Sequence, residues 1–235
     1  MNTRKPFIAL ISLILLFSWS AIAEEEKPAV NYQIFLGTLK LDDQNINWQE
    51  LSDGAAEVDF TNMPVAGIET EYAFHQGWIH WGINSGGSLA WKNNAATLSG
   101  SRTNGGVIQN STLDSSMMLA EVHMGGYVRG RIKPRITTYA AAGPMLLYGR
   151  HETDDQQVFD AQGNSIEDTQ VIASRDSSAL NLGYYARAGI DFEVRKNQHL
   201  GVGLRYMASE LDFDNTAGNI DIEGPQFVFT FSKKM

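Results

Sequence analysis

The chain has 235 residues, no cysteine and a formal net charge of −9 at neutral pH. This length suits one large domain or two small ones, and the lack of cysteine excludes disulfides, thiolate metal sites and cysteine nucleophiles. The acidic balance argues against a nucleic-acid partner. Beyond the first two dozen residues no apolar run approaches the roughly 20 residues of a membrane-spanning helix, so a helical membrane protein is excluded as well.

The N-terminal segment predicts a signal peptide over residues 1–23. Arg4 and Lys5 form a positive start, an apolar run follows, and Ala21-Ile22-Ala23 forms a small-x-small cleavage pattern before Glu24. An uncleaved membrane anchor is the alternative, which the cleavage pattern disfavours. We therefore expect an exported protein with one mature domain, residues 24–235.

Apolar and polar residues alternate with a period of two over eight segments, which is the period of a β-strand. The clearest segment begins at Leu180, where even-numbered positions are apolar for eight consecutive steps to Val194 and odd-numbered positions are mainly small, polar or charged. The predicted strands are Tyr32–Leu41, Ala66–Phe74, Trp78–Trp91, Ser116–Arg131, Pro134–Tyr148, Leu180–Arg195, Leu200–Leu211 and Ile220–Phe231.

Connection lengths predict the topology. Short turns at 75–77, 132–133 and 196–199 alternate with long connections at 42–63, 92–115, 149–177 and 212–219. This alternation predicts an all-β fold, an eight-stranded antiparallel transmembrane β-barrel of up-and-down meander topology with short periplasmic turns and long extracellular loops. The competing fold is a soluble barrel with an apolar interior. The long strands, and an apolar face without charge from Leu180 to Val194, favour the membrane barrel.

Four segments carry a family resemblance. Tyr139–Pro144 resembles part of the fifth strand of small outer-membrane barrels, Gly183–Phe192 and Leu200–Tyr206 resemble the sixth and seventh, and Ile222–Phe231 resembles the closing strand. The resemblance is to the OmpA-like and OmpX-like barrel superfamily and covers nearly the whole mature chain. It implies an eight-stranded outer-membrane barrel. The chain departs from the family pattern where Ser232–Met235 follow the aromatic Phe231.

Charged residues recur on the face opposite the apolar one, and we expect them to form an ion-pair network that closes the lumen. An eight-stranded barrel has room inside only for side chains, and buried charges must be paired. Glu69 and Glu71 share a face and could in principle act as an acid–base pair, but ion pairing is favoured. The predicted interior network is Glu69, Glu71, Glu121, Arg129, Arg187, Asp191, Glu193, Arg195 and Arg205.

The sequence offers little catalytic or metal-binding signal. His80 and His123 are both predicted to face inward, so a two-histidine metal site is conceivable, but histidines satisfied within the interior are favoured. Neither His-x-Ser nor the G-x-S-x-G nucleophile motif occurs. We therefore expect no catalytic, cofactor-binding or metal-ligating residues and no cofactor.

The sequence predicts an integral outer-membrane protein of a Gram-negative bacterium with a structural or surface-interaction role. That role would be envelope integrity or attachment through acidic extracellular loops. A narrow pore for ions or small solutes is the alternative, and an outer-membrane lipid-modifying enzyme is a more distant one. The expected partners are outer-membrane lipid and lipopolysaccharide and the barrel assembly machinery, with no nucleic acid and a monomeric state.

Overall fold

A computed structural model of the chain describes residues 30–41, 44–46, 56–58, 62–75, 77–98, 110–153, 157–159, 175–213 and 218–235. The predicted signal peptide, residues 1–23, lies outside the described residues. No helix in the described ranges is long and apolar enough to span a membrane. The strands are β1 (Val30–Leu39), β2 (Gln44–Ile46), β3 (Ala56–Val58), β4 (Met63–His75), β5 (Ile79–Leu98), β6 (Asn110–Lys133), β7 (Ile136–Thr153), β8 (Gln157–Phe159), β9 (Arg175–Arg195), β10 (Gln198–Phe213) and β11 (Gly218–Lys234).

Eight long strands close into a ring in the order β1-β4-β5-β6-β7-β9-β10-β11, and β11 pairs back onto β1. Every neighbouring pair is antiparallel and consecutive in the ring, so the predicted up-and-down eight-stranded barrel is confirmed. The three short strands lie in segments predicted to be loops. There, β2 pairs with β3, and β8 pairs with the first residues of β6.

Three tight turns, one between β4 and β5 and the others at residues 134–135 and 196–197, lie at one end of the barrel, which we call the turn end. A register shift flanks each turn, as bulges at barrel rims commonly do. The turn predicted at 132–133 is wrong by two residues, because Pro134 supplies the backbone angle suited to a first central turn position. Asn197 has a positive φ of 62°, which a tight hairpin turn requires.

Four strands continue at least five residues past their predicted limits at the opposite end, which we call the loop end. β5 runs to Leu98, β6 starts at Asn110, β7 runs to Thr153 and β9 starts at Arg175. Part of each predicted long loop is therefore sheet. At 24 residues, β6 is about twice the 9–11 residues that a strand needs to cross a bilayer.

The outer surface of the turn-end half is an apolar belt. Ile34 is 53% exposed, Leu204 51% and Phe229 72%, which a water-soluble surface would not favour over so wide an area. Aromatic side chains mark both borders of the belt. Tyr32, Phe74, Trp78 and Trp81 lie on the turn-end border, and the rings of Tyr184 and Tyr206 meet at the other. A closed barrel with such a belt and girdles has the architecture of a transmembrane β-barrel.

The loop-end half has the reverse polarity. On its outer surface, Glu210 and Asp212 of β10 lie beside Asp221 and Glu223 of β11, and all four are exposed. On its inner surface the side chains are apolar and fully buried. This inner core includes Leu39, Leu41, Met63, Met117, Leu119, Leu147, Leu211, Phe213, Ile220 and Ile222. Along β10 and β11 the loop-end half therefore has the polarity of a water-soluble protein, as expected for strand ends that extend beyond the lipid.

The reversal of polarity can be tested with two outward-facing positions on β10. Leu204→Arg places a charge in the middle of the belt and should destabilise the folded barrel by about 2–4 kcal/mol. Glu210→Arg lies on the same face beyond the belt and removes a like charge opposite Asp221, so its effect should stay within about 0.5 kcal/mol. Urea unfolding in lipid vesicles measures both. Equal effects at the two positions would contradict the assigned membrane border.

Candidate functional site

Eight ionisable side chains inside the barrel form one continuous chain of ion pairs, in which acidic and basic groups alternate. They come from four strands, β4, β6, β9 and β10, so the chain crosses the lumen. All of them except Arg129 are buried, and the Arg129 side chain is only 12% exposed. In order of contact they are Asp191, Arg129, Glu71, Arg187, Glu69, His123, Glu121 and Arg205.

Arg187 is the middle of this chain. Its guanidinium pairs with Glu69, donates to Oε1 of Glu71 at 2.8 Å and donates to Oε1 of Gln33 at 2.9 Å. Arg187 is on β9 and both glutamates are on β4, and three strands separate β9 from β4 in either direction around the ring. A single arginine therefore ties opposite walls of the barrel together.

Arg129 extends the chain toward the turn end. It donates two hydrogen bonds to the carboxylate of Glu71, at 3.0 and 3.1 Å, and pairs with Asp191. The ring of Tyr139 lies beneath both guanidinium groups, 5.1 Å from that of Arg129 and 4.9 Å from that of Arg187. Gly203 makes room for this ring, because a Cβ there would lie 2.5 Å from the Tyr139 hydroxyl.

Glu121 and Arg205 complete the chain toward the loop end. Arg205 donates to both carboxylate oxygens of Glu121, at 2.5 and 2.6 Å, and to Oε1 of Gln226 at 3.1 Å. Its guanidinium also lies 5.2 Å from the ring centre of Tyr185, whose hydroxyl donates to Asn84 at 2.6 Å. Arg205 is only 1% exposed, so these contacts replace its hydration.

His123 joins the two parts as a cation. Its Nε2 lies 3.2 Å from Oε1 of Glu69, and its Nδ1 lies 3.2 Å from Oε1 of Glu121. Both ring nitrogens therefore lie close to a carboxylate oxygen, and two flanking negative charges stabilise the imidazolium electrostatically. With His123 protonated, four carboxylates face three arginines and one histidine, so the interior is neutral.

The structure brings seven of the nine predicted interior residues into this chain and excludes two. Arg195 is exposed beside the 196–197 turn, and Glu193 is half-buried at the turn end; neither takes part in the interior ion pairs among the described residues. Both lie too close to the end of β9 to reach the closed part of the lumen, so the prediction is corrected for them. His80 is also at the turn end, where it pairs in register with Arg129, six residues along β6 from His123, so the two histidines do not converge.

Sequence reasoning missed His123 as a member of the charge network. The signal was present, because His123 follows Glu121 by two residues and therefore shares its face. Among the described residues no group of three or more His, Cys, Asp or Glu side chains is arranged to hold a metal ion. Glu69 and Glu71 are both bound by Arg187, which suits ion pairing better than proton transfer.

A second buried polar pair lies in the apolar core of the loop-end half. A hydrogen bond of 2.7 Å joins the Ser115 hydroxyl to Nε2 of His151, and the His151 ring packs beside Phe213. Burial lowers the pKa of His151 to about 4, so the imidazole is neutral. A serine hydrogen-bonded to a neutral histidine resembles an activated nucleophile, but Ser115 is 3% and His151 0% exposed. The pair is therefore a core contact rather than an accessible site.

Comparison with known proteins gives structural similarity only. No protein-family model matches the chain, and no curated protein matches it. The fold is similar to the attachment invasion locus protein Ail of Yersinia pestis, with 14% identity over 88% of this chain and 99% of that one and a TM-score of 0.45. Neisserial surface protein A is similar at 13% identity over 88% of this chain and 99% of its own, with a TM-score of 0.39. The outer membrane protein OprG of Pseudomonas aeruginosa is similar at 12% identity over 88% of this chain and 96% of its own, with a TM-score of 0.44.

The central ion pairs can be tested through Arg187. Arg187→Ala leaves Glu69 and Glu71 without their shared cation and should destabilise the barrel by about 3–5 kcal/mol. The double variant Arg187→Met with Glu69→Gln removes one charge of each sign, restores neutrality and should recover part of that loss. Arg195→Ala, an exposed arginine on the same strand, is the control and should change stability by less than about 0.5 kcal/mol. A loss at Arg187 no larger than that at Arg195 would contradict the network's role.

The burial of neutral His151 predicts sensitivity to acid in the loop-end half. The unfolded chain binds a proton at this histidine below about pH 6.5 and the folded chain only near pH 4. The contribution of the neutral His151 to the free energy of unfolding is therefore intact above pH 6.5. Up to about 3 kcal/mol of it is lost as the pH falls toward 4. His151→Gln should unfold with a weaker dependence on pH across this window. A His151→Gln variant that kept the parent's dependence on pH would contradict the burial of a neutral imidazole at this position.

Proposed function

We propose that the protein is an integral outer-membrane barrel that does not conduct and that acts at its loop end, outside the cell. The observation that carries this proposal is the closure of the lumen at two successive levels. The alternating ion-pair chain fills the membrane-embedded half, and the apolar core fills the loop-end half. A pore needs a continuous path of water. The ion-pair chain blocks this path with packed charged side chains, and the apolar core blocks it by excluding water.

The belt supports the placement in a membrane, and the turns support the orientation. Outer-membrane barrels have short turns on the periplasmic side and longer connections outside the cell. On this basis the turn end faces the periplasm, and Val30 and Met235 lie on that side, where the backbone of Met235 donates to the carbonyl of Val30. The membrane-embedded half then serves as an anchor.

The loop-end half supports a role at the cell surface. Strands β5, β6, β7 and β9 carry the sheet beyond the belt, and the apolar core inside them makes a rigid platform. Its outer wall is acidic at Glu210, Asp212, Asp221 and Glu223. In the proposed orientation this wall would face neighbouring lipopolysaccharide, and we infer that divalent cations bridge its carboxylates to the lipopolysaccharide phosphates. The predicted roles in envelope integrity and attachment both use this surface.

The two alternative functions have less support. A narrow pore would require the Arg187 and Arg205 contacts and the apolar core to move together. A lipid-modifying enzyme would require a nucleophile open to lipid or water, whereas the Ser115–His151 pair is buried among apolar side chains. We therefore propose a non-enzymatic protein that contacts its partners through its surface and its lipid boundary.

The conductance of the purified protein in planar lipid bilayers tests the proposal. The parent should show no steady conductance, and Arg129→Gln should stay equally silent, because it leaves the apolar core in place. A known large porin, added to the same kind of bilayer in the absence of the parent, provides the positive control for conductance. A parent that conducts stably, with an ion selectivity altered by Arg129→Gln, would replace the proposed closed barrel with a pore.

A further inference from the structure

The turn end of the lumen is an open vestibule with a blind floor. Its volume is about 220 Å³, which is room for several ordered waters or one small ligand. All eight strands of the ring contribute to its wall. Glu71 and Arg129 form the floor, and both are engaged in the ion-pair chain. A small molecule could enter from the turn end but could not pass through.

Hydrogen-bond donors converge on this vestibule. Its wall includes the side chains of Tyr127, Arg131 and Lys234, and also those of His80, Asn197 and His199. The Nδ1 of His199 is buried and has no hydrogen-bond partner among the described residues. A buried ring nitrogen without a partner, in a cavity lined by donors, is a position where a ligand oxygen or a water would be stabilised.

The charge around the vestibule has one dominant sign. Seven cationic side chains belong to the described part of the turn end outside the ion-pair chain, and Glu193 is the one acidic side chain there that does not belong to that chain. Arg131 and Lys234 line the vestibule itself. Clefts lined by one sign of charge raise the local concentration of the opposite ion. The cations at the two neighbouring turns are Lys133, Arg135, Arg195 and Lys196, whereas Lys233 faces outward opposite Tyr32.

We propose that this vestibule is a binding site for a phosphate group, open to the periplasm and closed toward the outside. A phosphate dianion offers several acceptor oxygens and matches both the excess of donors and the excess of positive charge. The group can belong to a small phosphorylated molecule of the periplasm or to the headgroup of an anionic phospholipid in the adjoining leaflet. In either case the site binds and does not transport, because the floor is held by Arg129 and Glu71.

Titration with inorganic phosphate tests the site. The mature chain is folded in a non-ionic, phosphate-free detergent, and the imidazole NMR signals of His80 and His199 are followed against chloride at equal ionic strength. We expect saturable shifts with phosphate that chloride does not produce. Arg131→Gln and Lys234→Gln should each raise the dissociation constant about tenfold, the loss expected for one charge-assisted hydrogen bond.

Lys196→Gln is the matched control. It removes one cation from the mouth without touching the wall, and at about 0.15 M salt its effect should stay under about twofold. The heat-dependent gel migration of each variant confirms that it is folded. If no saturable shift occurs, or if Lys196→Gln weakens binding as much as Arg131→Gln, the proposed site is wrong and the cations form only a diffuse positive surface.

Nanodiscs distinguish the two sources of the phosphate group. If a lipid headgroup occupies the vestibule, phosphatidylglycerol in a phosphatidylcholine disc should compete with added phosphate, and the competition should disappear in Lys234→Gln. If the ligand is a soluble phosphate compound, the affinity for phosphate should be the same in both kinds of disc. The conductance measurement is independent of this result. The barrel can therefore prove closed without binding phosphate, or bind phosphate while it conducts, and the two experiments distinguish these outcomes.

Discussion

Electrical neutrality inside a narrow, poorly hydrated lumen is the constraint on which this barrel depends. Isolated charges cannot be buried at a tolerable free energy, yet four carboxylates stand on the inner wall of the membrane-embedded half. Three arginines and one imidazolium match them in number, and the alternation of sign along the chain gives nearly every group two opposite neighbours. Two polar neighbours add to these contacts, because Gln33 accepts a hydrogen bond from Arg187 and Gln226 accepts one from Arg205. The interior is thereby a fixed structural element, and the small residues around it, such as Gly203, are consequences of its volume.

The same strands pass from lipid to water along their length. Along β10 the outward residues change from Leu200, Val202 and Leu204 to Glu210 and Asp212, and the inward residues change from Arg205 to Leu211 and Phe213. The alternation of side chains continues without a break, and only the chemical identity of the two faces is exchanged. This exchange lets one continuous sheet be a membrane protein at one end and a water-soluble barrel at the other. The aromatic contact of Tyr184 with Tyr206 lies where the exchange occurs.

Much of this architecture could be predicted from alternation alone, and the errors have physical causes. The segment from Leu180 to Val194 defined its strand, its lipid face and the inward direction of Arg187 and Asp191, because a period of two leaves no freedom once one face is assigned. The ends of β5, β6, β7 and β9 were missed, because beyond the belt an apolar outer face no longer marks the strand. The apolar core of the loop-end half was missed for the same reason. His123 was misjudged because a histidine's charge depends on its neighbours across the lumen, and these are set by the register of β4 and not by the local sequence.

The distribution of the ion-pair chain along the polypeptide bears on how the barrel can be assembled. Glu69, Glu71, Arg129, Glu121 and His123 belong to the first half of the ring, whereas Arg187, Asp191 and Arg205 arrive with β9 and β10. Before those strands dock, the earlier half carries three carboxylates against one arginine and one histidine, on a surface that must become the inside of a membrane protein. An incomplete sheet therefore has an uncompensated negative charge and a strong preference for water over lipid. Closure of the ring removes both, so the charge inside this barrel is balanced only once β9 and β10 are in place.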